Sequence, residues 1–571
     1  MDISKTLFKR YCKCKKYYNL DLIYTQKYQN NYQEDVVSEM LECMFSEIGD
    51  DLINVPDEQI EVMLPYYQKV EEIALKEASL LFNKPFEYHI NTLDQKCFSF
   101  KDEENNSLYT YLDGYYEDEE EIIVIEVKAI TDNAFMELGP KEKGVFNCLF
   151  EKNGQIIKLK DNLNKNQLKH YPKLYDKNNK AGKYLYDLGI TSYIIKQKNI
   201  NKKIRYYLAI LNSKFVFDGS YIDGEPSYYK GDKKIMSFVD CSNLVQDYHD
   251  IISKEYQVLK EVINSNQINN EPFSKECKNC SYQKVCFPKL QEKYSINTLM
   301  GKVKINGQTK YELFNQNICF INDLNPNDLE NDKHLIQYNT IQSVEYINKD
   351  NIINELKKIQ YPIYHLDFEG FNGPLPRFVN EHPYIQSIFQ YSIHVERENG
   401  KCDRINDNYH FVPTDFLDHR EELIKEMIKV IDLSSGGTVL VYNKSYEHCR
   451  IQEFIKMFPK YQKPLQEIDN AIYDLLDLIK GVKIDGFNYY HRDFNGSLSI
   501  KKVLPVFSNL SYKDLMIHNG VEAIVNYAKF KNMALEDILD TRKKLIEYCG
   551  LDTYSMFVVL QGIKEKVGYK D

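Results

Sequence analysis

The stretch Tyr111–Asp132, YLDGYYEDEEEIIVIEVKAITD, decides how the first half of the chain is read. Its apolar run from Ile122 to Val127 reads as a buried strand. Alternate residues of a strand share a face, so Glu126 and Lys128 point the same way. Asp113 closes the preceding strand-like run, SLYTYLD, and a turn-rich loop is expected to join the two. Asp113 and Glu126 are then expected to hold Mg2+ or Mn2+ through hard oxygen ligands. The same letters also describe a plain hairpin, with Asp in the turn and Glu paired to Lys at a solvated edge.

A second decisive stretch is Tyr361–Gly370, YPIYHLDFEG, an apolar strand that places Asp367 and Glu369 on one face at its end. The next strand-like run, GGTVLVYN, leads into a helix start, KSYEHCRIQEF, with Asn443 and Glu447 four residues apart across the junction. The last helix, which begins at Leu535, carries Tyr548 and Asp552, again four apart and on one face. The order is D-x-E, N-x3-E, Y-x3-D. Two-metal phosphodiester chemistry needs about four carboxylates holding two divalent ions roughly 4 Å apart. Tyr548 would position the attacking water. Taken singly the pieces are bland: D-x-E recurs by chance in an acidic chain, and Y-x3-D is often a surface pair. Asp474 and Asp477 offer further carboxylates, although a solvated helix face explains Asp477 better. In NGSLSIKKVLP, Ser497 reads as a phosphate contact, and Lys501 and Lys502 as contacts to a nucleic-acid backbone. Ser497 reads equally as the N-cap of an apolar helix.

There are 13 cysteines, an odd number. Eight are scattered singly (Cys43, Cys97, Cys148, Cys241, Cys319, Cys402, Cys449, Cys549) and are expected to be ordinary buried thiols. The rest cluster. CKNCSYQKVC places Cys277, Cys280 and Cys286 at C-x2-C-x5-C spacing, and CKCKKYY near the N-terminus offers a fourth thiolate from Cys12 or Cys14. Four thiolates hold either a [4Fe–4S] cluster or a zinc ion.

Length implies two to four domains, since single cores stop growing near 250–300 residues and this chain has 571. Three zones are expected: residues 1–290, bounded by the cysteine clusters; a connector over 291–355; and residues 356–571. The formal net charge of −11 argues against a simple nucleic-acid coat but not against one local basic channel. No stretch reaches the roughly 18 apolar residues of a membrane span. The opening MDISKTLFKRYCKCKKYY has no apolar signal region, so the expected setting is cytoplasmic, with no membrane partner.

The D…ExK layout has the form of a PD-(D/E)XK nuclease core, in which Lys128 orients water at a scissile phosphate. Joined to the N-terminal Cys and the C-x2-C-x5-C run, it resembles the RecB-like iron–sulfur nucleases. That group includes the CRISPR-associated iron–sulfur exonucleases and the AddB-type repair nucleases. The resemblance implies Cys14 as the fourth ligand, with Cys12 in reserve, and an iron–sulfur cluster over zinc. One departure concerns a Gln usual before a segment like YDLGITSYII: Lys180, Lys183 and Tyr184 stand there, and the nearest Gln is Gln167. The carboxylate series resembles the DnaQ-like 3′–5′ exonucleases of the DEDD, tyrosine subtype, although Glu447 stands where they have Asp. Glu547, where the histidine subtype would have His, argues against that subtype. LDFEG, HPYIQSIFQYSIH, VYNKSYE, YYHRDFNGSLSIKKVLPVFSNLSYKDL and IEYCGLDTYSM are similar to a bacterial domain of unknown function, family 2779, which commonly follows a RecB-like module.

The resemblances imply an α/β protein with an N-terminal PD-(D/E)XK, restriction-endonuclease-like domain and a C-terminal RNase H-like exonuclease domain. The expected function is metal-dependent hydrolysis of DNA in repair, recombination or defence against foreign DNA. A helicase or other repair and defence proteins are the expected partners. The rival expectations are a nucleic-acid-binding protein with degenerate sites and an RNA-processing exonuclease.

Overall fold

The computed structural model describes residues 2–24, 32–48, 57–229, 233–265, 270–278, 280–481 and 486–570. The chain divides into two compact units, residues 1–271 with 373–385, and residues 272–372 with 386–571. Both mix helices with sheets. Cys277, Cys280 and Cys286 fall in the second unit, Cys12 and Cys14 in the first. Among the described residues no helix is long and apolar enough to cross a membrane.

Unit 1 begins with strand β1 (Asp2–Ser4) and helices α1 (Lys5–Lys13), α2 (Tyr32–Ile48) and α3 (Asp57–Phe82). Strands β2 (Lys96–Lys101), β3 (Ser107–Leu112), β4 (Gly114–Glu117) and β5 (Glu121–Thr131) follow. Then come β6 (Phe150–Asn153), β7 (Ile156–Leu159), helix α4 (Lys180–Lys196), β8 (Lys203–Leu211) and β9 (Met236–Asp240). Six strands form one sheet in the order β4-β5-β8-β9-β7-β6. The expected loop after Asp113 is instead strand β4, which pairs antiparallel with β5.

Strand β5 is buried along nearly its whole length, as its unbroken β-branched run requires, because α2 and α3 pack on it and β8 pairs parallel beside it. Its register against β8 shifts after Val127. Val127 pairs with Ala209 and Thr131 with Leu211, so β5 takes four residue steps where β8 takes two. Such a bulge re-aims side chains, and it lies at Lys128. Residues 373–385 complete this unit. Tyr228 donates its hydroxyl to the Pro376 carbonyl at 2.8 Å, and Tyr384 donates to the carbonyl of Ala129, next to Lys128.

Unit 2 contains a five-stranded sheet built from β10 (Ile363–Asn372), β11 (Gln386–Glu396), β12 (Asn408–Phe411), β13 (Thr438–Val441) and β14 (Ile472–Asp474). Helix α5 (Arg420–Val430) precedes β13 and α6 (Ser445–Met457) follows it; α7 (Ile500–Phe507), α8 (Gly520–Ala528) and α9 (Leu535–Val567) come after β14. The order is β12-β11-β10-β13-β14. The first three strands pair antiparallel with one another; β13 and β14 continue the sheet in parallel from β10. Helix α9 lies across β10 and β11. The segment expected as a connector has a small core of its own, with Ile296, Leu299, Leu313, Ile321 and Leu324 all buried.

Helix α9 tolerates Gly562 in its interior because α7 packs there: a Cβ on Gly562 would stand 2.3 Å from Phe507 Cδ1. Glycine here trades helix propensity for close helix contact. Gly562→Ala is expected to destabilise the chain by ~1–3 kcal/mol, the usual cost of overpacking. A urea titration followed by circular dichroism measures this; a gain from better helix propensity would contradict it.

Candidate active sites

In unit 1, β5 delivers Glu126 and Lys128 to one buried cluster, as their spacing predicts. Lys128 Nζ lies 2.8 Å from Glu126 Oε1, 3.0 Å from Asp187 Oδ2 and 3.0 Å from Glu39 Oε2. Two further lysines come from α1. Lys5 Nζ is 2.6 Å from Glu126 Oε1, and Lys9 Nζ is 3.2 Å from Asp187 Oδ1 and 3.0 Å from Glu42 Oε2. Asp187, on α4, is fully buried. Carboxylate oxygens of Glu39, Glu126 and Asp187 lie within 4.8 Å of one another. Asp113 sits between β3 and β4 and accepts the backbone N–H of Val127 on Oδ2 at 2.7 Å. A cavity of about 130 Å³ opens beside Asp113 and Lys128, lined also by Glu39, Glu71, Tyr67 and Gln95.

The charges here are interleaved. Burial opposes ionisation of Glu126 and Asp187, but Lys128 and Lys5, with Lys9 on Asp187, hold both carboxyls below their ordinary values. Burial likewise opposes the Lys128 charge, and Asp187 with Glu126 more than restores it. Asp113 is compensated less fully: burial, then Glu126, push its carboxyl up to about 8 against the pull of Lys128 and Lys5. The buried Oε2 of Glu126 has no hydrogen-bond partner, so a divalent cation fits by its donor chemistry, in competition with lysine ammoniums already in place.

Lys180, Lys183 and Tyr184 occupy the stretch where the resemblance calls for Gln. Lys183 pairs with Glu42 at 2.9 Å and Tyr184 donates to Ser46 at 2.8 Å. Gln167 spends its amide on Asn147 and Cys148. Asp187, Lys5 and Lys9 escaped the sequence reading. The available signal was an acid inside an otherwise apolar helical run, YLYDLGITSYII.

In unit 2, β10, α6 and α9 bring together the residues the spacing singled out. Asp367 and Glu369 stand two apart on β10, where the register with β11 shifts just after Glu369. Glu447 lies in the first turn of α6 and is 2% exposed, with Oε2 lacking a hydrogen-bond partner. Tyr548 and Asp552 come from α9. Asn443 makes the turn before α6 with φ +74° and donates its N–H to Asp474 Oδ1 at 3.0 Å. Asp474 also caps the following helix through Leu476 N, so it serves the scaffold.

Two residues of this site were missed. Tyr512 donates its hydroxyl to Asp552 Oδ1 at 2.6 Å. Cys549, expected to be an ordinary buried thiol, is fully buried but directs its S–H to Asp367 Oδ2 at 3.6 Å. Its spacing of three from Asp552 put it on the same helix face, which was the available clue. No spacing signal links Tyr512 to the site. Of the expected backbone-binding residues, Lys501 reaches it. Its ammonium lies 5.1 and 5.3 Å from the rings of Tyr512 and Tyr548 and donates to the His518 carbonyl at 2.7 Å. Lys502 is exposed. Helix α7 starts at Ile500, so Ser499 rather than Ser497 holds the cap position.

No lysine or arginine ion-pairs with Asp367, Glu369, Glu447 or Asp552 among the described residues. Burial raises all four carboxyls, and their mutual repulsion adds to it for Asp367 (from Asp552), Glu369 (from Asp367) and Glu447 (from Asp367). Tyr512, Lys501 and Tyr548 moderate the rise at Asp552.

The cysteines of CKNCSYQKVC sit in consecutive tight turns. Cys280 N donates to Cys277 O at 3.3 Å, and Cys286 N to Tyr282 O at 2.9 Å. All three cysteines are half-buried. Cys14 caps α1 at its C-terminus and is half-buried; Cys12 has its thiol pushed up to about 12, chiefly by burial. Among the single cysteines, Cys97 and Cys449 are exposed rather than buried.

Residues 364–499 match the domain of unknown function DUF2779. The DUF2779 stretch contains Asp367, Glu369, Glu447 and Ser497 and ends before Lys501, Tyr548 and Asp552. An uncharacterized protein of Ureaplasma parvum serovar 3 is 28% identical over 221 residues, covering 36% of this chain and 31% of that protein. No solved structure matches.

The two clusters respond oppositely to mutation. Asp187→Ala removes the buried carboxylate shared by Lys5, Lys9 and Lys128 and is expected to cost ~3–5 kcal/mol, as broken buried ion pairs do. Asp367→Asn removes one of four repelling carboxyls and is expected to raise metal-free stability by ~1 kcal/mol or more. Denaturant midpoints of both variants against the parent chain decide the contrast. The pH dependence has a fixed sign. An unfolded carboxyl ionises near pH 4, while the buried carboxyls of unit 2 still hold protons. Raising pH from about 4 therefore favours the unfolded state until the raised folded values are passed. The melting temperature of the metal-free chain is expected to fall over that range, and to fall less in Asp367→Asn.

Proposed function

We propose that this protein is a metal-dependent nuclease whose cleavage centre is the carboxylate cluster of unit 2. The observation that carries the reading is the convergence of Asp367, Glu369, Glu447 and Asp552, two of them buried and two half-buried, with no lysine or arginine ion-paired to any of them among the described residues. Such a cluster is unfavourable on its own terms. A site that ordinarily binds divalent cations explains why it exists, and the orphaned Oε2 of Glu447 supplies a free ligand. Divalent cations bound there would activate water and neutralise charge at a scissile phosphate. The sheet order, an antiparallel three-strand half continued by two parallel strands, supports an RNase H-like reading of unit 2.

The remaining roles follow from position. Tyr548, one helical turn before Asp552, orients the attacking water. Tyr512 holds Asp552 through its 2.6 Å hydrogen bond. Lys501 supplies positive charge at the rim for a phosphate backbone. Unit 1 keeps the elements of a PD-(D/E)XK core in Asp113, Glu126 and Lys128. Because Lys5, Lys9 and Lys128 already compensate its acids, we assign it nucleic-acid engagement before cleavage. The knuckle of Cys277, Cys280 and Cys286 would contribute thiolates to an iron–sulfur cluster or zinc ion. DNA is the proposed substrate.

Purified chain with Mg2+ or Mn2+ is expected to degrade single-stranded or double-stranded DNA. Asp367→Ala is expected to lower the rate by at least about 100-fold, the scale on which loss of one electrostatic catalytic group acts. Glu126→Ala should lower it less. Matched oligonucleotides differing only in the 2′-OH test DNA against RNA. Cleavage unchanged in Asp367→Ala would remove the assignment, and faster cleavage of the ribose form would move the substrate to RNA.

A further inference from the structure

The carboxylate cluster of unit 2 contains a sulfur that its proposed chemistry does not use. Cys549 follows Tyr548 on α9 and is fully buried. Its Sγ, together with one oxygen each from Asp367 and Glu369, forms a trio whose atoms all lie within 4.8 Å of one another. Helix geometry puts Cys549 and Asp552, three residues apart, on the face that α9 turns toward β10. A second observation points to a ligand. Glu447 is 2% exposed, leaves Oε2 without a hydrogen-bond partner, and interacts with the charges of both Asp367 and Glu369. The trio and the unpartnered oxygen of Glu447 together offer three oxygen donors and one sulfur donor, none of them ion-paired to a lysine or arginine among the described residues.

Hard cations such as Mg2+ take oxygen ligands and leave a thiol alone, whereas Zn2+, Co2+ and Cd2+ bind sulfur strongly. We propose that this cluster is a mixed sulfur–oxygen site for a thiophilic divalent cation, held by Cys549 together with Asp367 and Glu369, with Glu447 as the fourth donor. When the cation binds, the metal–sulfur bond replaces the S–H bond, and the thiol proton leaves to solvent. No electron is transferred. The inference rests on reading this cluster as the cation-binding centre of the proposed nuclease, and it adds the class of ion that binds there most tightly. Mg2+ would occupy the oxygens alone and exchange freely; a thiophilic ion would lodge on the sulfur and be hard to displace.

Cobalt is the probe, because a Co2+–thiolate bond gives a near-ultraviolet charge-transfer band that carboxylates do not. The full-length metal-free chain is titrated with Co2+ alongside Cys549→Ser, Cys280→Ser and Asp367→Asn, with far-ultraviolet circular dichroism confirming that each is folded. Cys280→Ser separates the band of the unit 2 cluster from any cobalt on the cysteine knuckle. The expected result is a sulfur band that survives in Cys280→Ser, disappears in Cys549→Ser, and needs at least ~10-fold more Co2+ in Asp367→Asn. A band that is the same in Cys549→Ser as in the parent chain overturns the inference, and so does one that requires Cys280 alone. The nuclease reading is scored separately. A Cys549-dependent band in a chain that cleaves nothing keeps the cation site and discards the nuclease. Mg2+-dependent cleavage with no Cys549-dependent band does the reverse.

Discussion

Like charges crowded together set the terms for unit 2. Asp367 and Glu369 leave the end of β10 on one face, Glu447 enters from α6 and Asp552 from α9, and none of them is ion-paired to a lysine or arginine among the described residues. A fold reaches that arrangement only if the surrounding sheet and helices are stable enough to hold it. The long helix α9, locked against α7 at Gly562 and laid across two strands of the sheet, provides that rigidity. Under the proposed reading, the stability lost to this repulsion is what a cation-binding site gives up for function.

Unit 1 solves the same electrostatic problem in the opposite way. Its acids are as deeply buried, but Lys5 and Lys9 from α1 and Lys128 from β5 are threaded between them. Glu126 and Asp187 are held below their ordinary values because lysines are within reach, and Lys5, Lys9 and Lys128 stay charged because the carboxylates are. The N-terminal helix is thus part of the cluster's charge balance. Two groups of similar residues consequently differ in charge balance: one is an ion network beside a cavity, the other a set of carboxyls without ion-paired lysine or arginine among the described residues.

Much of the unit 2 site was legible because its pieces are short-range patterns. D-x-E on a strand and Y-x3-D on a helix put their side chains on one face by local geometry alone, and a strand leading into a helix located Glu447. Spacing could not rank the candidates: Asp474 looked like a further ligand and is a helix cap, Ser497 looked like a cap and Ser499 is one. Tyr512 lies 40 residues from the carboxylate it holds, and no periodicity connects the two. Cys549 was visible on the right helix face, yet it was grouped with inert thiols because a single cysteine has no pattern of its own. In unit 1, Glu126 and Lys128 were found for the same local reason, while Asp187, Lys5 and Lys9 arrive from helices distant in sequence.

By itself, the sequence determined which residues share a face. Periods of two in β5 and β10 and of three to four in α9 follow from backbone geometry, which needs no knowledge of the neighbours. Only the tertiary structure decided what each face meets, because charge compensation and burial depend on segments far apart along the chain. Lysines ion-pair with Glu126, and among the described residues none ion-pairs with Asp367. That difference in surroundings, not in residue type, separates the two clusters.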